Sequence, residues 1–342
     1  MSELLRLPVE VSRIDADYET GAKKHGMTRS VRVEVVRPDG DSAAFFLKAP
    51  HEALYGETLR SDRARELVWR MEGYPRIPGH VKAHAVSVEG DRLVRVDRPV
   101  SNWCLMEPEM PGDLLADRLA DLGSGLFAKD PAVMAAYLAE LHVPVEDDGT
   151  LYRRSIRDTL SNATFRLIDS STEHWGQRPA VHRELEHLLT DWRIRLPGNG
   201  RLHRTHHDFH PWNIFLEGDN LTVTGARLPG VGDVSDDLAA LLVNYIWFSL
   251  RTHRAFEGAY RQAYHDTVQT YLRLSGNTFA RASYPPFLAK RLLVLINPAY
   301  YPRQPGWIVD ALLDLTMAVL REEMDALTEL DGIATIVGKT ER

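Results

Sequence analysis

The sequence predicts an α+β fold of two lobes: a small, mainly antiparallel β lobe carrying one helix, then a larger helical lobe. Three observations predict it. At 342 residues the chain exceeds the ~250–300 residues at which a single core stops growing. Its first hundred residues are short β-type runs punctuated by turn signals. Beyond about residue 114 the apolar residues recur with helical spacing instead.

The β lobe is expected over residues 1–104. Val31-Arg32-Val33-Glu34-Val35-Val36 alternates at period two, and Ala44-Phe45-Phe46-Leu47-Lys48 follows the turn signal Pro38-Asp39-Gly40-Asp41, so a hairpin is predicted. Leu59 to Met71 mixes charged and apolar residues as a helix and is closed by Gly73 and Pro75. Val81 to Val88 and Arg92 to Val96 form a second strand pair around Glu89-Gly90-Asp91. Residues 105–113 are the expected hinge, because Pro108 and Pro111 deny the backbone regular pairing. The helical lobe, residues 114–342, is predicted to hold helices at Pro131 to His142, Val181 to Leu196, Leu238 to Ser249, Tyr260 to Leu274 and Trp307 to Leu327. Short loops and strands interrupt them from Leu202 to Val231.

Composition excludes several function classes. A formal charge of −7 argues against a nucleic-acid binder, which normally presents a basic face, and leaves room for a cationic substrate. The single cysteine, Cys104, excludes an intramolecular disulfide and a multi-cysteine zinc site. The apolar run Leu238 to Leu250 is broken by Asn244 and Ser249 and falls short of the ~20 residues needed to span a bilayer. The first residues mix acidic and basic side chains without the apolar stretch of a signal peptide. The expectation is a cytoplasmic protein without nucleic-acid or membrane partners.

The chemistry gathers in His206-His207-Asp208-Phe209-His210-Pro211-Trp212-Asn213. A carboxylate at Asp208 suits a proton acceptor for an attacking hydroxyl, and the amide oxygen of Asn213 suits a magnesium ligand. Phosphoryl transfer needs that division of labour, since positioning and charge stabilisation supply most of its catalysis.

This string resembles the catalytic loop of the aminoglycoside phosphotransferase and choline kinase superfamily, which commonly reads His-Gly-Asp-Phe-His-Pro-x-Asn. Leu138-Ala139-Glu140-Leu141-His142 resembles that family's helix preceding the loop, and Gly232-Asp233-x-x-x-Asp237-Leu238-Ala239 its downstream element. The resemblance runs from about Phe45 to the C-terminal helices and implies a protein-kinase-like fold. It implies that His206 braces the loop backbone, that Lys48 anchors the nucleotide phosphates and that Glu66 pairs with Lys48. It also implies that Met106, Glu107 and Met110 lie at an adenine-facing hinge. ATP and magnesium are the implied cofactors.

The pattern fails at one place. The family's second metal-binding Asp belongs within Asn220 to Gly232, where this chain has no Asp or Glu, and Gly225 occupies its position. Asp219 and Asp233 flank the gap, and Asp233 is the candidate replacement ligand; it also has a structural explanation in the Gly-Asp element. His207 stands where the family has glycine. The weak Gly-containing stretch Glu19 to Gly26 is a possible phosphate loop or an ordinary turn. The histidines at 203, 206, 207 and 210 could gather a zinc ion, although the family loop already accounts for two of them. Trp247 and Phe248 read as core, and Tyr300-Tyr301-Pro302 as a surface turn able to line a substrate pocket.

The leading expectation is an ATP- and magnesium-dependent phosphotransferase acting on a hydroxyl of a small molecule or peptide, with an aminoglycoside or other natural product as acceptor. The alternative is a degenerate kinase-fold protein that binds a ligand or partner, or that reuses Asp208 as a base in other chemistry.

Overall fold

The computed structural model describes residues 10–15, 28–37, 39–50, 77–78, 84–89, 92–96, 103–121, 129–169, 171, 178–196, 201–227, 230–298 and 300–338. Two compact units result, Met1–Pro111 and Gly112–Arg342. The first is an antiparallel β unit and the second is mainly helical, so the α+β expectation holds.

The β unit is one six-stranded sheet of β1 (Glu10–Asp15), β2 (Thr28–Val36), β3 (Ser42–Pro50), β4 (His84–Glu89), β5 (Arg92–Arg95) and β6 (Trp103–Pro108), ordered β1-β2-β3-β6-β4-β5. The predicted hairpin is β2–β3, with Val33 opposite Phe45. Its turn closes through Arg37 N–H to the Asp41 carbonyl at 2.8 Å. Period-two alternation explains the core: Val33, Val35, Phe45, Val86, Cys104 and Met106 cluster on one face. Trp103 and Leu105, the alternate residues of β6, pack with Ala85 and Val96 on the other.

Within the expected hinge, residues 105–113, the two units divide at Pro111/Gly112, but the expected lack of strand pairing does not hold. Strand pairing continues through Leu105, Met106 and Glu107 to Pro108, which lies opposite Phe45. Pro108 is tolerated because it ends the strand, where a missing N–H costs least. The expected helix Leu59 to Met71 and the stretch Glu19 to Gly26 lie outside the described residues.

The helical unit contains α1 (Leu115–Ala120), α2 (Asp130–Leu141), α3 (Thr150–Ile156), α4 (Thr164–Asp169), α5 (Pro179–Arg195), α6 (Val234–His253), α7 (Gly258–Ser275), α8 (Ala280–Ile296), α9 (Gly306–Leu320) and α10 (Leu330–Val337). A π-helical turn, Arg157–Ala163, joins α3 to α4. Two-residue β7 (Asp113–Leu114) pairs with β9 (Ile214–Glu217), which also pairs with β10 (Asn220–Val223); β8 (His203–Arg204) pairs with β11 (Val231–Gly232). Pro131 stands in the first turn of α2, where its missing N–H costs nothing. In α6 the chain turns helical at Val234, because the Asp233 carboxylate caps the helix by accepting from Ser235 N–H at 2.9 Å.

Two helices depart from expectation. α9 stops at Leu320 instead of Leu327, and Glu322 two residues on has φ 58°. α8 was not anticipated, since Pro285 and Pro286 lie inside it. Burial of Tyr284, Phe287, Leu288 and Leu292 outweighs the lost backbone bonds. The helix packs against α6 and α9. No helix among the described residues is long and apolar enough to cross a membrane.

Candidate active site

Asp237, in the first turn of α6, organises the loop His206 to Asn213. Its carboxylate accepts the backbone N–H groups of His206 and His207, both at 2.7 Å. His142 at the end of α2 reaches the same carboxylate through Nε2 at 3.2 Å, and its Nδ1 meets the Tyr271 hydroxyl at 2.8 Å. The three segments that carried the family resemblance thus converge on one buried anion. The N-terminus of α6 reinforces it, because a helix start favours negative charge.

His207 shows why glycine suits its position: its φ is 64°, in the left-handed region. The imidazole compensates, with Nδ1 at 3.0 Å from Asp236 and Nε2 within 2.9 Å of the Thr205 hydroxyl and 3.0 Å of the Val231 carbonyl. Gly232 makes the room, since a Cβ there would fall 2.6 Å from His207 Cε1. His206 is fully buried and its Nδ1 accepts Asp208 N–H at 3.3 Å. Burial pushes its pKa down to about 4, so the ring is neutral and serves as an acceptor within the loop.

Asp208 is buried between two guanidinium groups. Arg291, from α8, donates to Oδ1 at 3.0 Å, and Arg227 lies 2.9 Å from Oδ2. His210 Nε2 stands 3.6 Å from Oδ2. Burial alone would raise the carboxyl pKa, but Arg227, His210 and Arg291 together hold it well below the usual carboxylate range. Arg291 also donates to the His207 carbonyl at 2.8 Å and to Asp236 at 3.0 Å, and Lys290 donates to Asp236 at 2.9 Å. Burial outweighs Asp236 at Lys290 and lowers its pKa to about 8.

Sequence reading missed Arg227, Asp236, Lys290 and Arg291. One signal was present: two cations interrupt the otherwise apolar run Phe287-Leu288-Ala289-Lys290-Arg291-Leu292-Leu293. Buried charges of that kind need anionic partners elsewhere.

Asn213 donates its amide to the Asp208 carbonyl at 2.9 Å. Gly225 lies against that side chain: φ is 73°, and a Cβ would fall 2.8 Å from Asn213 Nδ2 and 2.9 Å from Oδ1. Asp233 is occupied otherwise. One oxygen accepts from Ser235 N–H and from Ser283 Oγ at 2.8 Å, and the other from the Tyr152 hydroxyl at 2.6 Å. Its place is that of a helix cap, which replaces the metal-ligand expectation. Asp219 is exposed in the β9–β10 turn. Magnesium takes hard oxygen ligands, usually one or two from the protein, with waters and substrate phosphates completing the array; Asn213 turns Nδ2 to the Asp208 carbonyl, which leaves Oδ1 as its candidate ligand atom, and no carboxylate stands at 225. Among the described residues no group of three or more His, Cys, Asp or Glu side chains is placed to hold a metal, so the histidines form no zinc site there.

In the β unit, Lys48 on β3 pairs with Glu107 on β6 at 2.6 Å, and the Glu107 side chain is 2% exposed. Glu66 lies outside the described residues. Met106 has strand partners on both sides, Leu47 and His84, so the sheet takes up its backbone. Glu107 and Pro108 pair with β3 alone among the described strands. Met110, past the strand end, lines a hollow of about 620 Å³ together with Arg37, Phe45 and Glu109.

An aromatic wall backs the loop His206 to Asn213. Trp212 stacks on Phe248 at 6.0 Å between centroids, and Trp247 packs against Phe248 and Tyr301. Tyr301 is therefore buried and not in a surface turn.

No family model matches the chain, and no curated protein sequence matches it. Solved structures do resemble it. A putative fructosamine-3-kinase from Thermobifida fusca aligns at a TM-score of 0.49 with 17% identity, over 94% of this chain and 98% of that one. An aminoglycoside-3'-phosphotransferase of type VIII aligns at 0.45 with 21% identity, over 84% and 94%. A spectinomycin phosphotransferase in complex with ADP and spectinomycin aligns at 0.43 with 12% identity, over 99% and 97%.

Proposed function

We propose that this chain has a protein-kinase-like fold and transfers a phosphoryl group from ATP to a hydroxyl of a small molecule or peptide side chain. The observation that carries the reading is the loop around Asp208. It is braced by Asp237 through His206 and His207 N–H, with Asn213 bonded to the Asp208 carbonyl and the Asp208 carboxylate held ionised. A rigid, charged carboxylate can accept the hydrogen bond of an acceptor hydroxyl and orient its oxygen for attack. Lys48 is the proposed phosphate anchor, with Glu66 its proposed partner during turnover and Glu107 its partner in this structure. Glu107 and Met110 keep the proposed hinge role through their backbone. Asn213 Oδ1 is the proposed protein ligand to magnesium, which would supply charge neutralisation at the transferring phosphate oxygens.

A second reading rests on a specific observation. Two guanidinium groups on Asp208 and a glycine at 225 also suit a protein that keeps the fold and binds a ligand without transfer. The discriminating experiment measures ADP formation from ATP with a panel of hydroxyl acceptors, aminoglycosides included, for wild type and Asp208→Asn. Acceptor-stimulated ADP formation that falls about 10²–10⁴-fold in the variant supports transfer. Equal turnover in both proteins removes Asp208 from the reaction, and ligand binding without turnover favours the second reading.

A further inference from the structure

Trp247, fully buried in α6, is the centre of a second set of contacts beside Asp208. Trp212 packs on its ring at 6.0 Å between centroids, Tyr301 at 5.3 Å and Phe248 at 4.8 Å, and the Arg251 guanidinium carbon lies 4.6 Å from its centroid. Trp212 belongs to the loop itself. Its N–H donates to His210 Nδ1 at 3.2 Å, and His210 Nε2 stands 3.6 Å from Asp208 Oδ2. At Tyr301, burial pushes the hydroxyl pKa up, Arg251 pulls it down, and Tyr300 and Asp208 add to the rise. The arginine and the carboxylate therefore both act on one hydroxyl.

Within this set Trp212 and Arg251 meet solvent most. The Trp212 ring is half-buried and stacked on Phe248 at 6.0 Å and 22°. Arg251 is exposed, and among the described residues no carboxylate pairs with it. Its stack on Trp247 holds the guanidinium without neutralising it. Arg254 repeats the arrangement on Trp307 at 5.2 Å, at the C-terminal end of α6, where cations are favoured. A rigid aromatic face and a held cation thus lie together beside Asp208. Flat apolar groups gain from the first, carboxylates from the second, and a polycation meets like charge. Asp113 and Asp117 of the β7–α1 segment, which packs against the Pro211–Asn213 turn, would favour a polycation instead. Asp113 is already paired with Arg118 at 3.2 Å.

We propose that Trp212 and Arg251 form the acceptor surface of this site and select a hydroxyaryl carboxylate, a hydroxyl compound with a flat aromatic body and an anionic group, over polycationic aminoglycosides. The aromatic body lies on Trp212, the carboxylate meets Arg251, and the hydroxyl is left for Asp208. The name of acceptor rests on the proposed transfer reading, whereas the selectivity of binding does not.

The test is calorimetric titration of para-hydroxyphenylacetate, its methyl ester and kanamycin into the full chain, with ADP formation from ATP measured for each compound in parallel. Wild type is expected to bind the carboxylate about three- to tenfold more tightly than the ester, and kanamycin more weakly than either. Arg251→Gln is expected to weaken the carboxylate to the level of the ester and to leave the ester unchanged. Trp212→Leu is expected to weaken both aryl compounds by about two- to tenfold. Should Trp212→Leu fail to fold, Arg251→Gln, a change at an exposed side chain, decides alone. Aryl binding with this Arg251 dependence but without ADP formation upholds the selective surface and removes transfer. ADP formation stimulated by kanamycin and not by the aryl carboxylate overturns the proposal and leaves the transferase reading standing. Tighter binding of kanamycin, equal carboxylate affinity in wild type and Arg251→Gln, or no aryl binding by wild type likewise overturns it.

Discussion

Arg291 spans two carboxylates that belong to different parts of the site, Asp208 of the loop and Asp236 of α6. Removing it leaves Asp208 to Arg227 and Asp236 to Lys290, and takes a donor from the His207 carbonyl. Arg291→Met is expected to destabilise the protein by about 1–3 kcal/mol, the cost of charged hydrogen bonds lost from a buried site, read by urea unfolding at constant slope; a loss below about 0.5 kcal/mol would mean that Arg227 and Lys290 hold the two carboxylates by themselves. His206 gives a pH signature. Its folded pKa of about 4 lies below the ordinary 6.5, so between those values the unfolded chain binds more protons and stability falls as pH falls. The full loss below pH 4 is about 3 kcal/mol, at 1.36 kcal/mol per unit. Asp208, Asp236 and Asp237 are held below the ordinary carboxylate value, so their contribution is lost at lower pH still. Thermal melting from pH 7 to 4 should therefore begin to drop near pH 6.5. A flat profile down to pH 4 would contradict the neutral, buried His206. At this scale Asp208, Asn213 and Asp237 were legible because they sit in one short motif or at a fixed offset from it. Arg291 was not, since its partner lies 83 residues away and only packing of α8 brings them together.

The loop Thr224–Arg227 and helix α8 are the elements that separate this site from the sequence expectation. In the sequence, Gly225 stands where the resemblance implies a metal-binding Asp. The structure shows a left-handed residue in contact with Asn213, so any side chain there meets both a backbone penalty and a collision. Gly225→Ala and Gly225→Asp are both expected to lose at least about 1 kcal/mol, and Gly225→Asp is expected to gain no magnesium-dependent nucleotide affinity. Melting curves and a magnesium titration check this. An aspartate variant that melts normally and binds ATP more tightly with magnesium would show that the loop can rearrange into a metal site. The β2–β3 hairpin and helices α2, α5 and α7 were legible because their apolar spacing dictates them. α8 was masked by Pro285 and Pro286, whose local cost is overcome by burial that spacing alone does not reveal.

At the scale of the whole molecule, the order of a β unit followed by a helical unit was written in the change of apolar period near residue 112. The reach of β6 to Pro108 was not, because proline suggests an interruption whereas a strand end accepts it. The proposed reading assigns parts in nucleotide binding to Asp208 and Asn213 of the helical unit and to Lys48 and Glu107 of the β unit. Nucleotide binding should therefore be felt in both. Amide hydrogen exchange with and without saturating ATP tests this most directly. The account predicts slower exchange on ATP addition at residues 205–213 and 223–227, together with residues 105–110 of the β unit. Unchanged exchange at residues 205–213 and 223–227 under saturating ATP would contradict a nucleotide site built on Asp208.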